Sequence, residues 1–244
     1  MEENLTLIFS AHKRAALSVR GKDRILFLHR LLTQDIKGAS AGQVRPACLL
    51  DRLGKIQWAG LVHVRPEEIL LELCAESIEP SRALLEKYRI SEKVDMIPSQ
   101  TSAASGETDL QRILAGIPAI GREITPEVIP NELGPYWLEQ FVSFTKGCYV
   151  GQEIVARIKY RAHPPRLLTG FLLDQPAPEG SALLLEGQPV GELTSVCWSP
   201  TPNRFVALGF LKHGTPAGPL AIDSSAGTAT PTPLPFVHPS TGSG

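Results

Sequence analysis

From residue 167 to residue 211 this chain has room only for short extended segments. Its apolar runs there (167–173, 182–198 and 205–211) are cut or bordered by glycine and proline. Proline cannot donate to a strand ladder, and glycine supplies the backbone freedom that tight turns need. Short β-rich runs at this spacing predict a small sandwich or barrel rather than helices. Residues 222–244 are rich in Ser, Thr, Pro and Gly, which predicts a disordered tail.

The first hundred residues follow another rhythm. Residues 16–19 read as a strand ending at Gly21, after which Asp23 is placed to cap a helix over 24–32 with Leu28, Leu31 and Leu32 on one face. A strand at 48–50 and a turn at 51–55 precede two apolar stretches, 56–64 and 69–73, joined as a hairpin through 65–68. Pro80 suits the first turn of a helix spanning 80–89, and 93–97 returns as a strand. The expected unit is a small sheet with a helix across it. Residues 99–109 are small and polar, marking an exposed loop or a boundary, and the prolines that follow Gly116 predict a shaped loop up to Pro135.

Bulk chemistry excludes several roles. The chain has 244 residues, enough for one large domain or two to three small ones sharing a core. Lys plus Arg (24) nearly cancel Asp plus Glu (25), so no global positive field gathers nucleic acid, and direct RNA binding is not expected. No apolar run approaches the ~20 residues of a spanning helix, and the first residues carry acids where a secretion signal would carry bases, so a cytoplasmic protein is expected with no membrane partner. Cys48, Cys74, Cys148 and Cys197 lie far apart without CxxC spacing, which argues against a zinc site and a disulfide framework.

The chemistry concentrates in residues 142–158, where Gly147 and Gly151 bracket Cys148. Val150, Ile154, Val155 and Ile158 fall at helical spacing, so a helix is predicted from about Tyr149, with Gln152, Glu153 and Arg157 on its other faces and Glu153–Arg157 as an i,i+4 pair. Cys148 would then sit at a helix N-terminus beside Lys146, and both features favour a thiolate. Alternatively, Cys148 is a buried small hydrophobe and Lys146 a solvated charge. Downstream, Arg157, Lys159, Arg161 and Arg166 form a basic cluster with Tyr160 and His163 interleaved, which suits either a solvated face or a polyanion contact.

The run from Lys146 to Arg157, KGCYVGQEIVAR, closely resembles the signature of the folate-binding iron–sulfur cluster assembly and repair proteins, also described as tRNA-modifying, of the glycine cleavage T-protein (aminomethyltransferase) superfamily. Residues 19–24, 27–35, 54–55, 115–118, 129–132 and 190–195 are similar to further landmarks of the family in the same order. The resemblance implies an α+β fold, a ring about a folate pocket. In it residues 1–50 with 110–163 make a β-rich N-terminal part, 51–109 a ferredoxin-like part and 164–221 a C-terminal β-barrel.

It implies tetrahydrofolate or a derivative as cofactor and iron–sulfur proteins as clients. Lys146 and Cys148 resemble the functional pair, and Glu132 the acid that holds the pterin, with Asn131, Gln152, Glu153 and Arg157 completing the candidate folate contacts. Aminomethyltransferases proper carry a catalytic acid where this chain reads Gln57-Trp58-Ala59-Gly60, and a second glutamate where it has Leu114. A one-carbon transferase is therefore the second expectation, and an RNA-binding module the third.

Overall fold

The computed structural model describes residues 5–10, 12–102 and 109–236. Strands β1 (Arg14–Arg20), β2 (Val44–Leu50), β3 (Ile56–Val64), β4 (Glu68–Cys74) and β5 (Asp95–Ser102) form an antiparallel sheet in the order β2-β3-β4-β1-β5. Helices α1 (Arg24–Leu31) and α2 (Ile78–Tyr88) join its strands. Leaving out β2, the succession β1-α1-β3-β4-α2-β5 in the order β5-β1-β4-β3 is a ferredoxin-like unit, to which β2 adds an edge. The unit therefore begins at Arg14, not at residue 51. Segment order hides this, because β1 pairs with β4 and β5, at least 48 positions away, rather than with its neighbours.

Period-two alternation puts Leu17 and Val19 of β1 with Ile69, Leu71 and Leu73 of β4 in one core, together with Phe27, Leu28, Leu31 and Leu85 of the two helices. Asp23 precedes α1 as expected, but its carboxylate accepts the Lys93 backbone N–H (2.8 Å) and makes no capping bond to the helix. Strand β5 extends to Ser102, into the stretch read as a loop; residues 103–108 lie outside the described residues.

The opposite face of β2 and β3, carrying Cys48, Leu50, Ile56 and Leu61, builds a second core with Leu7, Ile8 and Phe9, with α3 (Asp109–Leu114), with α4 (Pro135–Phe141) and with Leu168, Val206, Leu208 and Phe210 of the C-terminal part. That part is a closed antiparallel barrel of β6 (Arg166–Leu173), β7 (Ala182–Leu185), β8 (Gln188–Ser199), β9 (Arg204–Lys212), β10 (Leu220–Ile222) and β11 (Thr228–Thr232), in the order β10-β11-β6-β9-β8-β7. The barrel bears out the expected C-terminal β-barrel, but the expected tail from residue 222 does not begin there. Thr228–Thr232 pairs with β6 and buries Ala229, because the barrel needs a strand between β6 and β10 to close. Residues 237–244 lie outside the described residues.

A buried charge network ties the barrel to the rest. Arg112 of α3 is 1 % exposed and donates to Glu123 (3.0 Å), to the Ile117 carbonyl (2.9 Å), to Asp109 (3.2 Å) and to Ser195 of β8 (2.7 Å). Glu123 in turn accepts the hydroxyls of Thr194 and Ser195 (2.6 Å each) and the Ala119 N–H (2.8 Å). Removing one partner of such a pair leaves an uncompensated buried charge, which costs about 3–5 kcal/mol. Arg112→Ala should lower stability by that order in urea unfolding, and Arg112→Met combined with Glu123→Gln should lose less than the single change.

Candidate functional site

The segment around Cys148 is stitched to the start of the sheet. The buried Thr33, just after α1, donates its hydroxyl to the Phe141 carbonyl (2.6 Å) and accepts the Ser143 N–H at its own carbonyl (3.0 Å). Lys146 follows, 8 % exposed, and its ammonium donates to the carbonyls of His29, Leu32 and Gln34 at the C-terminal end of α1. Its donors meet two carbonyls that the end of the helix leaves unpaired, those of His29 and Leu32, and a third just beyond it, that of Gln34. Burial draws the Lys146 pKa down to about 8 while the carboxyl of Asp35 acts in the opposite sense. At neutral pH the ammonium form is retained. Lys146 is thus neither a solvated charge nor a free cation beside the thiol. Lys146→Met would leave buried carbonyls unpaired, at about 1–3 kcal/mol, and its melting temperature should fall accordingly in calorimetry.

The helix begins later than its apolar spacing predicts. Helix α5 spans Gln152–Arg161, preceded by Gly151 at φ +81°. A Cβ on Gly151 would lie 2.5 Å from the Asp51 carbonyl oxygen, so the chain can pass over the 51–54 turn only as glycine. Tyr149 is buried in the central core, with the Lys146 ammonium 5.2 Å from its ring centre. Cys148 therefore lies in the loop, three residues before Gly151, and is exposed. The helix dipole does not reach it in the manner expected, because the effect fades beyond the terminal turn. Of the predicted buried face only Val155 is fully covered.

Glu132 and Asn131 sit in the 3-10 turn Pro130–Leu133, which Pro130 starts, and both are buried. Asn131 donates to the Val155 carbonyl (3.1 Å), holding α5 to this turn, and its Oδ1 has no protein partner. Glu132 accepts the Nε–H of Arg166 at 3.1 Å, and the Arg166 guanidinium lies 4.4 Å from the ring centre of Phe210. Arg166 entered the sequence reading only as part of a basic cluster. The 34-residue separation from Glu132 gives no spacing signal, since the start of the barrel brings them together.

Burial pushes the Glu132 carboxyl above its ordinary value, and Arg166 only partly offsets the rise. A carboxyl whose folded pKa lies above its unfolded one loses stability as pH rises from about 4.5 through the raised value. Glu132→Gln removes this titration. Its stability relative to the wild type should climb as pH rises from about 4.5 in urea unfolding.

The other predicted contacts disperse. Glu153 and Arg157 are exposed on α5, Gln152 is half-buried, and no Glu153–Arg157 ion pair forms among the described residues. The basic cluster breaks up too: Lys159 pairs with Glu139 (3.2 Å) over the Phe144 ring, and His163 stacks on His213 with ring centres 4.5 Å apart.

A cleft of about 690 Å³ lies between β3, α2 and the 120–126 turn, a size in the ~300–1,000 Å³ range of small-molecule sites. Gln57, Trp58 and Ala59 line it with His12 and Glu76. The Trp58 indole N–H is buried without a protein acceptor. A second hollow, of about 430 Å³, lies on the polar face of β1 and β4. Neither is lined by Glu132, Lys146 or Cys148.

No helix among the described residues is long and apolar enough to cross a membrane.

Residues 166–237 match the glycine cleavage T-protein C-terminal barrel domain. The chain is 27 % identical over 211 residues to an uncharacterized protein of Haemophilus influenzae, covering 70 % of this chain and 75 % of that one. It is 28 % identical over 233 residues to an aminomethyltransferase of Thermus thermophilus, covering 93 % of this chain but 60 % of the relative. The crystal structure of the glycine cleavage system aminomethyltransferase T from Bartonella henselae superposes with a TM-score of 0.74 at 18 % identity, over 96 % of this chain and 89 % of that one. Together the barrel match and these likenesses support a place in the glycine cleavage T-protein superfamily, whose aminomethyltransferase fold the chain adopts.

Proposed function

We propose that this chain is a folate-dependent accessory factor for iron–sulfur cluster assembly or repair, working in the cytoplasm, with Cys148 as its reactive thiol. The observation that carries this reading is the contrast among its cysteines. Cys48 and Cys74 are buried, Cys197 is half-buried, and burial raises the thiol pKa of each; Cys148 alone is exposed. It sits on a loop held at Thr33, Lys146 and Tyr149, so the thiol is presented at a defined place. A thiol offered on a rigid support can lose its proton to solvent as its sulfur ligates an iron centre, or meet a client's thiol.

The residues present are compatible with a pterin. Glu132 offers a carboxylate and Asn131 an unpartnered Oδ1, acceptors that suit the N–H groups of a pterin, while Arg166 orients the carboxylate. Bound tetrahydrofolate would supply a carrier for one-carbon units. Client enzymes include those that modify tRNA, as the KGCYVGQEIVAR run suggests.

A one-carbon transferase is the second reading, favoured by the likeness to the aminomethyltransferase of Thermus thermophilus. Against it, Gln57, Trp58 and Ala59 bring no carboxylate to the position where transfer needs a base or a stabilising charge. Cys148→Ser should unfold at the wild-type temperature, bind tetrahydrofolate in calorimetry with unchanged affinity, and fail to restore cluster-enzyme activity in cells lacking this protein. Full restoration by that variant would remove the thiol from the account, and formation of methylene-folate from glycine by the purified chain would favour the transferase.

A further inference from the structure

We infer that His12, Cys74 and Glu76 make a binding site for a borderline divalent metal ion, zinc foremost, at the edge of the 690 Å³ cleft. The three residues span 64 positions, and sheet pairing closes the distance. Antiparallel β1 and β4 place Arg14 opposite Cys74, and the Ala75 N–H donates to the Lys13 carbonyl (2.8 Å). The residue before Lys13 and the residue after Ala75 are thereby set side by side. One imidazole nitrogen, one sulfur and one carboxylate oxygen come to lie within 4.8 Å of one another, with His12 Nδ1 2.6 Å from Glu76 Oε1.

Nitrogen, sulfur and oxygen donors together suit zinc and its neighbours better than calcium or magnesium, which prefer all-oxygen sets. Tetrahedral zinc holds its ligand atoms roughly 3.3–3.8 Å apart, given bonds of ~2.0–2.3 Å. The present spacing needs small side-chain adjustments to reach this. Cys74 is fixed at the end of its strand, but the His12 and Glu76 side chains are 37 % and 58 % exposed and free to adjust.

Gly121 leaves room for the imidazole, since a Cβ there would lie 3.3 Å from His12 Nε2. On binding, the Cys74 thiol loses its proton to solvent and the sulfur forms a bond to the metal, with no change of oxidation state. His12 and Glu76 line the cleft beside Gln57 and Trp58, so a remaining coordination position faces that space, as in zinc sites with three protein ligands. An oxygen or nitrogen donor of a cleft ligand would complete the shell.

This inference does not depend on the folate reading, and its test uses no activity. The purified full chain is titrated with Co²⁺, whose visible bands report four-coordination and whose near-ultraviolet band reports sulfur ligation. A single equivalent should bind, produce both signals and be displaced by Zn²⁺. Cys74→Ser should abolish the sulfur band, and Cys148→Ser should leave it intact. Glu76→Gln, an exposed change that leaves the fold undisturbed, should weaken cobalt binding by about tenfold or more, as should His12→Ala. Absence of cobalt binding by the wild type, persistence of the sulfur band in Cys74→Ser, or indifference to both Glu76→Gln and His12→Ala would overturn the site.

Discussion

The arrangement of this protein depends on one fully buried ion pair. Arg112 and Glu123 have left water entirely, which is tolerable only because nearly every donor and acceptor between them is used. Two of those partners, Thr194 and Ser195, belong to β8 of the barrel, whereas Asp109, Ile117 and Ala119 belong to the segment that packs on the sheet. Hydrophobic contact alone would let a barrel slide on its neighbour, since burial is proportional to area and has no direction. A hydrogen-bonded charge pair has direction. It holds β8 of the barrel to α3 and the turn after it, and a separate ion pair, Arg166 with Glu132, joins the start of β6 to the 130–133 turn.

Lys146 performs a similar service on a smaller scale. Its side chain reaches back to the end of α1, so the loop before α5 is held to the ferredoxin-like unit, while Thr33 secures the beginning of the same loop. Gly151 then lets the chain lie against the 51–54 turn. Cys148 is exposed, but the residues on either side of it are held. Local order at an exposed nucleophile or ligand matters because orientation that has already been imposed need not be lost again on encounter.

The two faces of the sheet divide the work. One buries the helices and makes a self-contained core, and the other, over β2 and β3, joins the central core with the barrel. The cleft beside Trp58 opens where α2 and the 120–126 turn flank β3. Its lining sets an indole, an amide, an imidazole and the carboxylate of Glu76 around one space. Fold alone does not fix the chemistry of such a cleft; its lining does.

Periodicity and punctuation alone determined most of the elements: the strands and helices of the first hundred residues and the short strands of the C-terminal barrel. Those features are local, written in side-chain alternation and in glycine and proline. Only tertiary structure decided that Lys146 is buried against α1, that α5 waits for Gly151, that the barrel runs on to β11, and that Arg166 faces Glu132. The meeting of His12 with Cys74 and Glu76 belongs to the same class, since cysteine spacing along the chain argued against a structural zinc site. Each of these follows from pairing between strands or packing between layers far apart in sequence, and long-range pairing leaves no mark on local composition.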